Sequence, residues 1–169
     1  MCSSDLDPRL TVRAPGDRSK PPLRVVLDTE LRTPPDAKLF APIADPEHEA
    51  GGDVVILCRA GAPAVAHRAL EAAGAKIVGL RADKKDRVSL RATLEALWDA
   101  GVQRVLVEAG PTLLDALFEA GFVDQMLVYT GAINGGLGSS LAERLVERNL
   151  VQPARREVGD DSVLEAFVR

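Results

Sequence analysis

The sequence predicts an α/β fold of three layers, built on a mostly parallel mixed sheet with an antiparallel hairpin at its C-terminal edge. Three observations predict it. Short Val/Ile/Leu-rich runs recur without strict alternation, as strands covered on both faces do. Segments of helical spacing that end at glycine lie between them. Beyond residue 150 the pattern changes to two short extended runs about Gly-Asp-Asp, a hairpin signal.

In chain order, "LRVVLD" (23–28), "DVVILC" (53–58), "AKIVGL" (75–80), "RVLVE" (104–108) and "QMLVYTG" (125–131) read as strands. "APAVAHRALEAAG" (62–74) and "SLRATLEALWDAG" (89–101) read as helices; each ends at a glycine suited to the left-handed C-terminal position, and Ser89 suits the N-cap of the second. Leu94 and Trp98 share a helical face and are expected in the core, whereas His67 is expected at the surface or its boundary. The segments 14–22 and 41–52, rich in Pro, Gly and charge, read as loops.

Composition narrows the function classes. A chain of 169 residues with 46% hydrophobic and 27% charged residues suits one soluble globular domain. No apolar run approaches the roughly 20 residues of a membrane helix, and no basic-then-apolar leader opens the chain, so a cytoplasmic protein is expected. Cys2 and Cys58 form no C-x-x-C pair, and His48 and His67 fall in no ligand spacing, so neither a disulfide scaffold nor a metal site is expected. The formal charge of −4 argues against a dedicated nucleic-acid surface. An anionic ligand would have to be held by local donors.

Such donors are suggested in "RVLVEAGPTLLDALFEAGFVDQ" (104–125), where a strand-like run ends at Glu108 and passes through Gly-Pro-Thr into an amphipathic segment. Ligands of open α/β sheets collect beyond the carboxyl ends of the strands, which is where Glu108 is expected. Pro111 suits a first helical turn, Gly110 permits close approach of backbone to a ligand, and Thr112 adds a hydroxyl beside the free amides of a helix start. Spacing alone leaves open the alternative of a good helix start next to an exposed or salt-bridged carboxylate.

"VLVEAGPTLLDALFEAGFVDQMLVY", "LRVVLDTELRTPPDAKLF" and "DPRLTVR", three motifs separated along the chain and in the right order, resemble the reductase domain of the bifunctional riboflavin-biosynthesis deaminase/reductase, with a weaker echo in "REVGDDSVLEAFV". The resemblance implies a dihydrofolate-reductase-like fold, a homodimer or higher homo-oligomer, and NADPH-dependent reduction of the ribosyl group of a phosphorylated ribosylamino-pyrimidine to ribityl. It places cofactor contacts on Thr29 and on the turn Gly110, Pro111, Thr112, Leu113, Leu114, Asp115 and Ala116. It places substrate contacts on Leu10, Arg13 and Glu108; Arg13 suits a phosphate ester by charge and forked geometry. Asp28 and Arg32 receive no catalytic role, and no proton donor is assigned.

The chain also departs from that family. Thr29 stands where serine is commoner, Leu114 and Asp115 stand where small residues are usual, and a charge at Asp115 in the first helical turn would compete with a phosphate. "TGAINGGLG" stands in place of an "APKLLGG"-like segment. The family's first strand, first helix and second strand precede "DPRLTVR", so residues 7–169 are expected to be a reductase domain lacking those elements. "CSSDL" reads as a translated sequencing-adapter end, so residues 1–6 are expected to be a non-native leader. The zinc deaminase signature does not occur. A non-catalytic dinucleotide- or phosphate-binding fragment, and a reductase of this fold acting on another small substrate, stay open beside the riboflavin reductase.

Overall fold

The computed structural model describes residues 7–13, 21–43, 49–131 and 150–168. They fall into two compact units, one covering residues up to 106 and the other residues from 107 onward. The suspected leader, His48 and the "TGAINGGLG" segment after Gly131 lie outside the described residues.

The first unit is organised by one fully covered strand. Strands β1 (Arg24–Leu27), β2 (Val54–Arg59) and β3 (Ala75–Leu80) form a parallel sheet with β2 in the centre, Arg24 in register with Val54 and Val54 with Ala75. Successive side chains of β2 point to opposite faces, and both faces are used. Val54, Ile56 and Cys58 pack with Leu70 of α1 (Ala64–Ala72), while Val55 and Leu57 pack with Leu97 of α2 (Leu90–Asp99). A helix on each face of the sheet gives the expected three layers. Ile56 and Leu57 are sealed from solvent, and burial of each stabilises the unit by about 1.5–3 kcal/mol.

Helix boundaries follow local chemistry. The Ser89 hydroxyl accepts a hydrogen bond from the Ala92 amide at 3.3 Å and so caps α2. At the other end Gly101, with φ +83°, lets its amide reach the Trp98 carbonyl at 2.8 Å while Val102 reaches the Leu97 carbonyl at 2.9 Å, a Schellman closure. One expectation fails nearby. Trp98 is 70% exposed, because the buried stripe of α2 runs through Ala92, Thr93 and Leu97 and the next position lies about 100° round the helix from it. Leu94 is half-buried. His67, also half-buried, sets Nδ1 3.1 Å from Glu71 on the same helix.

The second unit joins α3 (Pro111–Glu119) to strands β4 (Gln125–Thr130), β5 (Leu150–Val158) and β6 (Asp161–Val168). These strands form an antiparallel sheet in the order β4-β6-β5, and Phe118 of α3 packs against buried Met126 and Ala166. The expected hairpin is present: Val158 pairs with Asp161 across a two-residue turn in which Gly159 takes φ +64°. Pro153 lies at the irregularity between Val151 and Ala154 on an edge strand, where its missing N–H is tolerated.

The α/β class, the parallel strands and the antiparallel hairpin are as expected, but the described strands make two sheets, one parallel and one antiparallel. The strand expected at 104–108 is not formed. That segment has no ladder partner among the described residues, contains the division between the units, and leaves Val105, Leu106 and Val107 exposed. Apolar, β-prone letters favour a pleated, half-buried surface, yet a strand exists only where another strand accepts its hydrogen bonds.

Candidate functional site

The carboxyl end of the parallel sheet carries the first group of candidates. Ladder bonding continues past β1, with the Asp28 amide donating to the Leu57 carbonyl at 3.0 Å, so Thr29 is fixed at the strand's end. The Thr29 hydroxyl accepts from the Val88 amide at 3.3 Å, and its carbonyl accepts from the Arg59 amide at 3.3 Å. Beside it, Asp28 accepts 2.6 Å bonds from the amide and hydroxyl of Thr33, which is turn chemistry.

Sequence reasoning passed over two residues here, Glu30 and Arg59. Arg59 donates from Nε to Glu30 Oε1 at 2.5 Å and from Nη2 to Oε2 at 3.1 Å, a bidentate pair. That hydrogen bonding raises the guanidinium pKa and lowers the Glu30 carboxyl pKa. Asp86 lies 4.0 Å from the Arg59 Nε. The available signal was positional: Arg59 ends the apolar run of β2, where ligands of parallel sheets collect, and Glu30 follows Thr29 in the turn after β1.

A different part of the same unit positions Leu10 and Arg13. Val12 and Ala50 exchange backbone bonds of 2.8 and 2.9 Å, Arg9 pairs with Glu49 at 3.0 Å, and the Thr11 hydroxyl donates to Glu49. Arg24 adds bonds from its guanidinium to the carbonyls of Leu39 at 2.7 Å, Gly52 at 2.9 Å and Arg9 at 3.3 Å. Burial lowers the Arg24 pKa, and the Thr11 bond lowers that of Glu49. Leu10, in left-handed conformation at φ +53°, packs on the core below, and Arg13 is exposed just beyond the Val12 bridge. Leu10 is half-buried on that core, and Arg13 is exposed.

In the second unit the start of α3 is as expected. Gly110 is the N-cap with φ −70° and ψ 169°, Pro111 opens the helix, and the first i to i−4 bond runs from the Leu114 amide to the Gly110 carbonyl at 3.2 Å. The amides of Thr112 and Leu113 therefore precede the helical ladder and are oriented along the axis as donors for an anion. Gly110 has a backbone that any residue adopts, so its conformation does not require glycine. Thr112 is exposed, and Leu113, Leu114, Asp115 and Ala116 are half-buried. Asp115 begins the second turn; the first turn contains no acidic residue, so the expected competition with a phosphate at the helix start does not arise. Glu108 is exposed two residues before Gly110, outside any formed strand.

The structure thus groups Thr29 with Glu30 and Arg59, Leu10 with Arg13, and Glu108 with the α3 start. Chemically it offers amide and hydroxyl donors suited to phosphate and ribose oxygens, and a carboxylate that accepts hydrogen bonds.

Comparison with known proteins identifies relatives. The family model for the RibD C-terminal domain matches residues 4–157. The chain is 31% identical over 135 residues to the 2,5-diamino-6-ribosylamino-4(3H)-pyrimidinone 5′-phosphate reductase of Archaeoglobus fulgidus, covering 75% of this chain and 56% of that protein. It is 31% identical over 140 residues to the riboflavin biosynthesis protein RibD of Bacillus amyloliquefaciens, covering 83% of this chain and 34% of that protein. The chain thus spans about half the length of the archaeal relative and about a third of the bacterial one. The structure of Acinetobacter baumannii RibD matches 96% of this chain and 43% of its own with a TM-score of 0.68 at 21% identity, a likeness of fold.

Proposed function

From a chain that belongs to the RibD C-terminal domain family, we propose a reductase of riboflavin biosynthesis that uses NADPH to convert the ribosyl group of a phosphorylated ribosylamino-pyrimidine to ribityl. The observation that carries the reading is the start of α3, where an N-terminal Gly-Pro pair presents the Thr112 and Leu113 amides a few residues after the Glu108 carboxylate. The relatives from Archaeoglobus fulgidus and Bacillus amyloliquefaciens bear the names of such a reductase and of RibD, which supports it.

The donor set suits a dinucleotide. Amides at a helix start and a threonine hydroxyl bind phosphate oxygens without requiring a cation, which fits a protein of net charge −4. Gly110, Pro111, Thr112, Leu113, Leu114, Asp115 and Ala116 form one contact segment, and Thr29 forms another. When bound, the nicotinamide supplies a hydride. Glu108 accepts hydrogen bonds from substrate hydroxyl or amino groups, and Arg13 pairs with the substrate phosphate. Leu10 shapes the backbone that carries Arg13, through its left-handed conformation and its contact with the core.

The test is oxidation of NADPH monitored by loss of reduced-nicotinamide absorbance, with 2,5-diamino-6-ribosylamino-4(3H)-pyrimidinone 5′-phosphate and its deaminated counterpart as substrates. Substrate-dependent oxidation with a ribityl product is the expected outcome. Cofactor binding without turnover on either substrate would instead identify a binding module, and turnover on a different carbonyl compound alone would identify another reductase of this fold.

A further inference from the structure

The antiparallel sheet of the second unit has two outer strands of opposite character. On β5, Pro153, the register shift between Val151 and Ala154, and exposed Arg155, Arg156 and Glu157 are the features that keep a sheet edge from pairing. The other outer strand, β4, reads Gln-Met-Leu-Val-Tyr-Thr, with no proline, no charge and an unbroken register with β6. We propose that β4 is a self-association edge, pairing antiparallel with β4 of a second copy of this chain about a twofold axis at Leu127.

The register shows which backbone groups are available. The Val168 amide donates to the Asp124 carbonyl at 3.0 Å, so Gln125 and Phe167 are a non-hydrogen-bonded pair, and Met126, Val128 and Thr130 turn their amides and carbonyls to β6. Those of Gln125, Leu127 and Tyr129 therefore point away from the sheet, and no ladder among the described residues takes them up. The side chains of the same three residues share one face with Phe167 and Glu165, opposite the face on which Phe118 packs against Met126 and Ala166. On that face Leu127 is 43%, Tyr129 62% and Phe167 47% exposed. Open ladder groups and uncovered apolar side chains thus fall on one strand, which is the combination that a further strand covers.

The edge is complementary to itself. Antiparallel pairing centred on Leu127 sets Leu127 against its own copy and Gln125 against Tyr129, so every outward amide meets an outward carbonyl. Charge favours the same arrangement. Asp124, the carboxylate preceding the strand, falls opposite Thr130, and its two copies stand at opposite ends of the paired segment, roughly 20 Å apart. Parallel pairing sets Asp124 beside its own copy instead. Glu165, on the exposed face, already accepts a hydrogen bond from the Gln125 side chain at 2.5 Å.

Sedimentation equilibrium tests the proposal on the full chain, unaltered and as Leu127→Lys, Leu127→Glu and Leu127→Pro. Proline at this position removes an outward amide and leaves β6 its partners. The unaltered chain is expected to dimerise and each variant to weaken the dimer at least about tenfold, lysine and glutamate by setting like charges directly opposite one another. Mixing the Leu127→Lys and Leu127→Glu chains is expected to restore a dimer, because the twofold register then opposes unlike charges. Amide hydrogen exchange on the unaltered chain gives a reading that does not depend on any variant folding: the Leu127 and Tyr129 amides are expected to be protected in the dimer and to lose protection on dilution. A chain that is monomeric or forms open-ended assemblies, a dimer that the variants leave intact, a lysine and glutamate mixture that stays monomeric, or Leu127 and Tyr129 amides that exchange freely in the dimer would each overturn the proposal.

Discussion

Leu70 of α1 and Leu97 of α2 pack against the same strand, β2, from opposite faces: Leu70 meets the Val54, Ile56 and Cys58 face and Leu97 meets the Val55 and Leu57 face. The two clusters share no buried side chain, so one strand carries two separate cores. Leu70→Ala and Leu97→Ala are each expected to cost about 2–5 kcal/mol by the loss of buried methyl groups and the cavity left behind. Together they should add to within about 0.5 kcal/mol, whereas Leu70→Ala with Ile56→Val, which share a cluster, should not. Urea unfolding of the single and double variants checks this; strong coupling between Leu70 and Leu97 would mean that the faces are not independent.

The N-cap of α2 makes a smaller, directional prediction. Ser89→Ala removes the acceptor for the Ala92 amide and is expected to lower stability by about 1 kcal/mol, while Ser89→Gly should lose only a few tenths. Equal losses in the two variants, measured by thermal unfolding, would contradict a capping role.

Acid should destabilise the first unit. The carboxyls of Glu30, held by Arg59, of Glu49, held by the Thr11 hydroxyl, and of Asp83, held first by the Arg87 amide, all have lowered pKa values in the folded chain. A carboxyl whose folded pKa lies below its unfolded value contributes stability that is present above the unfolded pKa, roughly 4, and is lost as pH falls through the folded value. The thermal midpoint is therefore expected to be flat from neutral pH down to about pH 5 and to decline below it, with a shallow slope because these groups are in contact with water. Asp83→Asn should reduce that slope. A midpoint that rises on acidification would contradict the sign.

The proposed role of Glu108 distinguishes substrate use from cofactor binding. Glu108→Gln removes one charge-assisted acceptor, expected to lower kcat/KM about ten- to a hundredfold with cofactor affinity unchanged. Steady-state kinetics beside cofactor calorimetry makes the comparison, and an unaltered kcat/KM would leave Glu108 as a surface carboxylate.

Much of this molecule is local enough to be determined by sequence alone. β1, β2 and β3 follow from apolar runs of strand length, α1 and α2 from helical spacing closed by glycine, and the Gly-Pro-Thr start of α3 from the fit of proline to a first helical turn. The β5–β6 turn follows from Gly159 in the same way. What the sequence could not determine depends on groups far apart in the chain. The 104–108 run has the letters of a strand, but a ladder needs a partner and no letter in the run specifies one. Trp98 has the letter of a core residue, but the side of α2 that is buried was decided by where Leu97 meets Val55 and Leu57. Arg59 and Glu30 are 29 residues apart, each an ordinary charged residue in its own segment. They became a pair because parallel register sets the ends of β1 and β2 side by side, and that register was set by burial of β2 on both faces.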